Sequence, residues 1–163
     1  MRKWATTIVL FAAFLTACGG KSAADYQNEA RAALDSGDAV KAIATVTEAL
    51  GQDAVTKDPA ASLRLEQIRL EALAKTGKGA EVKLELERVA TAYPKNVNAS
   101  LYRSLAERVK GAGDTPGAID ILVAGDKRFP ADHASFQEAI DGLKATGGVD
   151  PEQIEKLRKL GYL

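Results

Sequence analysis

The sequence predicts an all-α fold, a helical solenoid of about three helix hairpins with an incomplete fourth and a C-terminal capping helix. Three observations carry this. Apolar residues recur at helical spacing over nearly the whole chain from Ala24 onward. Gly37, Gly77, Gly113 and Gly147 punctuate that pattern at intervals of 40, 36 and 34 residues, as a repeated two-helix unit requires. Beyond Phe14 the aromatics are only Tyr26, Tyr93, Tyr102, Phe129, Phe136 and Tyr162, so the core must come mainly from Ala, Leu, Val and Ile on closely packed helices.

The first element is "MRKWATTIVLFAAFLTA", residues 1–17. Arg2 and Lys3 precede a short apolar run from Ala5 to Leu15, which is too short to span a bilayer core of about 30 Å as a helix. It reads as a signal-peptide core. Leu15, Thr16 and Ala17 then lead into Cys18 and Gly19, and this resembles the lipobox of bacterial lipoproteins, in which cleavage before the cysteine is followed by acylation. Cys18 has no partner for a disulfide within the chain. The resemblance implies that Cys18 begins the mature protein and carries palmitate-type lipid, and that residues 18–23 form an anchor and linker. Gly19 in place of an Asp retention residue implies export to the outer membrane, facing the periplasm.

The helical domain, 24–163, opens with Tyr26 and Ala30 before Gly37 and with Ala42, Val46 and Ala49 after it. A longer interval follows, read as a loop insertion around "TKDPAAS", after which Asp58 and Pro59 supply an N-cap and first turn. The second copy, around Gly77, has Val82, Leu86, Val89 and Pro94 in its second-helix places. The clearest copy runs from Leu101 to Pro130. Leu101, Tyr102, Leu105, Ala106 and Val109 share one helix face, Gly111 and Gly113 break the helix, Thr115 and Pro116 restart it, and Ala118, Ile119, Leu122 and Val123 form the inner face of its partner. Phe136, Ile140, Leu143 and Gly147 repeat a first helix and turn. In the tail, Asp150, Pro151 and Gln153 mark a helix start, and Ile154, Leu157 and Leu160 make an apolar stripe before Gly161. A terminal helix of this kind caps a solenoid, with a detachable recruiting tail as the alternative.

Counted from Tyr102, the positions of Leu105, Ala106, Val109, Ala118, Leu122 and Pro130 resemble the tetratricopeptide repeat, with Gly125 replacing the last small Ala. The other copies depart from that pattern at Glu29, where the family has Leu, at Glu66, where it has an aromatic, and at Glu152, where it has Ala. The resemblance implies a right-handed solenoid whose first helices line a groove through the residues one and five places after the aromatic. Here those are Gln27, Arg31, Gln67, Glu71, Arg103 and Glu107, joined by Lys110. Members of such lipoprotein groups serve barrel assembly, pilus assembly or control of cell-wall enzymes.

The chain carries 22 basic and 22 acidic residues, and removing Arg2 and Lys3 with the leader tips the balance toward acid. No basic footprint for nucleic acid is left. No catalytic residue, metal set or cofactor is expected. His133 stands alone as a first-turn residue, and "TGKGAE" from Thr76 to Glu81 fails a phosphate loop at Ala72 and Gly79, so it reads as a repeat turn. The expected function is a lipid-anchored envelope adaptor that binds a protein or peptide segment. The alternatives are a small-ligand receptor or enzyme subunit with a pocket between repeats and tail, and a self-associating structural lipoprotein.

Overall fold

A computed structural model describes residues 21–145 and 149–163. The leader, Cys18, Gly19 and the turn at Gly147 lie outside the described residues. Every regular element among the described residues is helical. In order they are α1 (Ala23–Asp35), α2 (Ala39–Leu50), a short α3 (Asp53–Thr56), α4 (Pro59–Lys75), α5 (Gly79–Ala92), α6 (Ala99–Gly111), α7 (Thr115–Arg128), a 3-10 turn (Pro130–Asp132), α8 (His133–Ala145) and α9 (Pro151–Lys159).

Local chemistry sets the boundaries. Ser22 and Asp25 form a reciprocal capping box at α1, while Asp38, Asp58, Asn98, Asp114 and Asp150 cap α2, α4, α6, α7 and α9 through their side chains. Pro59, Pro116 and Pro151 follow three of these caps in the first turn, where a missing N–H is harmless. The hairpin turns reverse at Gly37, Gly77 and Gly113, whose φ values of +89°, +68° and +95° lie in the left-handed region that a side chain disfavours.

Packing follows the hairpin order. α1 packs on α2, α4 on α5, and α6 on α7, while the first helices also meet each other in the order α1, α4, α6, and α5 meets α7. The positions predicted to face inward are buried: Tyr26, Ala30, Ala42, Val46 and Ala49 in the first hairpin, and Tyr102, Leu105, Ala106, Val109, Ala118 and Leu122 in the third. Small residues stand where backbones nearly touch. A Cβ on Gly117 would lie 2.6 Å from the Cα of Gly79, and one on Gly125 would lie 2.6 Å from Cε1 of Phe136. Gly125 is therefore not a loose stand-in for Ala; the Phe136 ring takes its space.

The core has two parts. One gathers Tyr26, Leu34 and Val46 with Leu65, Ile68 and Ala72 of α4; the other runs from Leu70 and Leu73 of the same helix to Leu157 and Tyr162. α4 serves both because its apolar residues point to two sides.

Of the three departures from the repeat pattern, two acquire partners. Glu29 is half-buried and accepts from Lys21 at 2.7 Å, with Lys41 of α2 at 3.9 Å, so an ion pair across the hairpin replaces an apolar contact. Glu66 is only 4 % exposed and meets Arg88 of α5 at 2.5 Å; Arg88 also binds Glu85, which Arg69 approaches at 3.1 Å. Burial raises the Glu66 carboxyl above its ordinary range, whereas the hydrogen bond from Arg88 chiefly lowers Glu85. A raised carboxyl favours folding only while protonated, so its favourable contribution fades as pH rises through that raised value. Glu152 stays exposed on α9.

Two expectations are corrected. The long first interval is not loop alone, for it contains α3, whose Val55 is buried and whose carbonyl accepts from the Ser62 hydroxyl at 3.0 Å. In the tail, Leu157 is fully buried but Ile154 and Leu160 are 37 % and 39 % exposed. The second anchor is Tyr162 instead. Gly161, at φ +85°, turns the chain so that the Tyr162 hydroxyl reaches Asp126 of α7, while Gln137 of α8 donates to the Tyr162 carbonyl at 3.2 Å.

Candidate functional site

The predicted groove residues fall into two sets along the first helices. On α1 and α4, Arg31 Nη1 bonds Glu71 Oε2 at 2.8 Å, and Gln27 Nε2 donates to the Ala61 carbonyl at 3.5 Å. Gln67 is half-buried one turn before Glu71 and shares its helix face. On α6, Arg103, Glu107 and Lys110 line one cleft of about 340 Å³, which Ser135 and Glu138 of α8 close from the other side. Its floor is apolar, formed by Ala106, Leu122 and Leu143. Lys110 lies 3.9 Å from Glu107, a loose contact between partly exposed groups that is worth little by itself. The Arg103 guanidinium has no ion-pair partner among the described residues, so it can offer a planar fork to a bound carboxylate or carbonyl.

A larger cleft, about 890 Å³, lies between the repeats and the tail, with α5 and α7 on one side and α9 on the other. The alternative reading, a small-ligand receptor or enzyme subunit, calls for a closed pocket in that place; the cleft is open, with Lys127, Glu155, Lys156 and Lys159 exposed on its rim. Lys83, which the repeat pattern puts on a second helix away from the groove, lines this cleft. The spacing of α9 gives no hint of it, because the cleft exists only where the stripe of α9 fails to bury Leu160 against α7.

His133 opens α8 with its Nδ1 2.9 Å from Asp126 Oδ2, and its side chain is otherwise exposed. Asp126 is nearly buried and also accepts from Tyr162, whose hydroxyl is pushed well above its usual range by burial first and by that carboxylate second. These three residues tie the tail to the last hairpin. Among the described residues the imidazole meets the Asp126 carboxylate and the Tyr162 ring, and neither contact brings a nucleophile to it.

The "TGKGAE" turn is also resolved in chemical terms. The backbone N–H of Gly79 donates to Asp114 Oδ2 at 2.8 Å, so a carboxylate of the chain itself occupies the helix N-terminus where a phosphate would sit. Among the described residues no cluster of His, Cys, Asp and Glu could hold a metal ion, and no helix is long and apolar enough to cross a membrane. Comparison with protein-family models, curated proteins and solved structures finds no match for this chain.

Proposed function

We propose that this chain is a lipid-anchored adaptor of the bacterial envelope, a solenoid of tetratricopeptide type that holds a protein segment along its first helices. The observation that carries the reading is the cleft between α6 and α8, where Arg103, Glu107 and Lys110 converge over an apolar floor. Polar groups above apolar ground suit an extended or helical segment, with the apolar contact giving affinity and the charged rim giving register. The Arg31 and Glu71 pair and Gln27 continue the same polar wall onto α1 and α4.

Anchoring rests on Cys18 and the leader before it. A lipid chain contributes about 0.8 kcal/mol per buried methylene, and more than one chain is needed for stable attachment. In the host bacterium, Cys18→Ala is expected to abolish palmitate incorporation and to release the domain from membranes. Palmitate labelling at the wild-type level in that variant would remove the anchor from the reading.

The groove is tested by affinity capture with the mature domain from envelope extracts. Arg31→Glu with Arg103→Glu is expected to lower the yield of captured partner at least tenfold. Arg31 is exposed and Arg103 half-buried, so folding of the variant is first checked by circular dichroism; reversal at the exposed site should change stability by only about 0.5 kcal/mol. Lys41→Glu with Lys95→Glu, both exposed and off the groove, should capture as wild type does. If the two pairs behave alike, the first helices are not the docking face.

A further inference from the structure

We propose that the cleft between α7 and α9 is a second docking site, built for an acidic, leucine-bearing segment of a partner protein. At about 890 Å³ it falls in the range of formed binding pockets, about 300–1,000 Å³. It is lined mainly from the second helices, so it is separate from the groove between α6 and α8.

Its floor is Val123 and Ala124 of α7, and Leu160 leans over it from the tail while remaining 39 % exposed. An apolar side chain seated there would cover Leu160, which the fold leaves in water. The charge on the walls is asymmetric once internal pairs are removed. Asp120 is matched by Lys156, Glu87 by Arg128 at 3.7 Å and by the Tyr102 hydroxyl at 3.0 Å, and Glu155 by Arg158 at 2.7 Å and Lys159 at 3.8 Å. Lys83 and Lys127 have no ion-pair partner among the described residues, against one unmatched acid, Glu152. The free charge is cationic and lies on the repeat side of the cleft.

The floor favours a peptide over a simple anion, because Val123, Ala124 and the exposed Leu160 offer apolar ground that a phosphate cannot use. Carboxylates on the segment would reach Lys83 and Lys127 while its leucines rest on Val123 and Leu160.

The test uses the full helical chain and fluorescein-labelled peptides of alternating glutamate and leucine, read by fluorescence anisotropy. Binding is expected, with a weakening of at least tenfold for Lys83→Glu combined with Lys127→Glu, and a loss on raising salt. Leu160→Ser should weaken it separately, and a peptide with lysine in place of glutamate should not bind. Lys41→Glu with Lys95→Glu is the folded control and should bind as wild type does. Equal binding by the lysine peptide, or no loss in the Lys83 and Lys127 variant, overturns the assignment. So does sedimentation showing a dimer of the chain that the same variant dissolves, since a second copy would then fill the cleft.

Discussion

Phe136→Ala is expected to lower the free energy of unfolding by about 3–5 kcal/mol, the range for deleting a buried aromatic ring. Phe136 is fully buried on α8, and its ring edge rests over Gly125 of α7 beside Tyr102 of α6. Three helices therefore lose contact together. Against a total stability of about 5–15 kcal/mol, that is a large fraction. Gly125 gives the prediction a second arm. Gly125→Ala alone places a Cβ 2.6 Å from Cε1 of Phe136 and 2.9 Å from Cβ of Tyr102, and overpacking of this kind typically costs about 1–3 kcal/mol. In the Phe136→Ala background both ring contacts are gone and only the 2.9 Å approach to Cβ of Tyr102 remains, so the added methyl should cost clearly less than in the parent chain. Urea unfolding followed by circular dichroism would give all four corners of the cycle. Additive effects would show that the ring and the glycine do not share one space.

Asp114→Ala is expected to destabilise by about 2 kcal/mol, twice the typical value of about 1 for a lost N-cap. One carboxylate holds two helix ends: Oδ1 accepts from Gly117 N of α7 at 2.8 Å, and Oδ2 accepts from Gly79 N of α5 at 2.8 Å. α5 needs this help because its own N-cap residue, Lys78, offers no side-chain acceptor. Asp114→Asn keeps one acceptor oxygen and turns an NH₂ toward the other donor, so it should lose about half as much. Asp38→Ala is the natural comparison, since Asp38 caps only α2, through Lys41 N at 2.9 Å. Equal losses at Asp38 and Asp114 in thermal melts would show that the second bond contributes nothing.

Much of the helical layout was legible because burial here follows a period. Tyr102, Leu105, Ala106 and Val109 are buried at the spacing that marks them, and so are Ala42, Val46 and Ala49. Caps were legible for the same local reason: Asp58 before Pro59 and Asp150 before Pro151 need only their neighbours in sequence. What the sequence did not disclose depends on distant partners. Glu66 could be seen to occupy a buried position but not to meet Arg88, which comes from another helix. The stripe of α9 predicted three buried residues, yet its neighbours cover only Leu157, because Lys156 is held by Asp120 and Tyr162 by Asp126 and the helix is oriented accordingly. Arg103 and Glu107, which the repeat resemblance marks one and five places after Tyr102, line one cleft, and Lys110 joins them there. The resemblance could not bring Lys83 and Lys127 opposite α9, since nothing local encodes that approach.

The division of the core along α4 has a mechanical consequence. A pull applied at the residue-21 end reaches Lys21 and α1 first, and their apolar anchors all belong to the smaller, alanine-rich part of the core. Leu70 and Leu73, on the far side of α4, belong to the part that continues through α8 to Tyr162. Local opening that involves only the smaller part leaves the larger part in place, since cooperative units of one fold can open separately. The α6 to α9 surfaces would survive such an opening, because the residues beneath them belong to the larger part of the core.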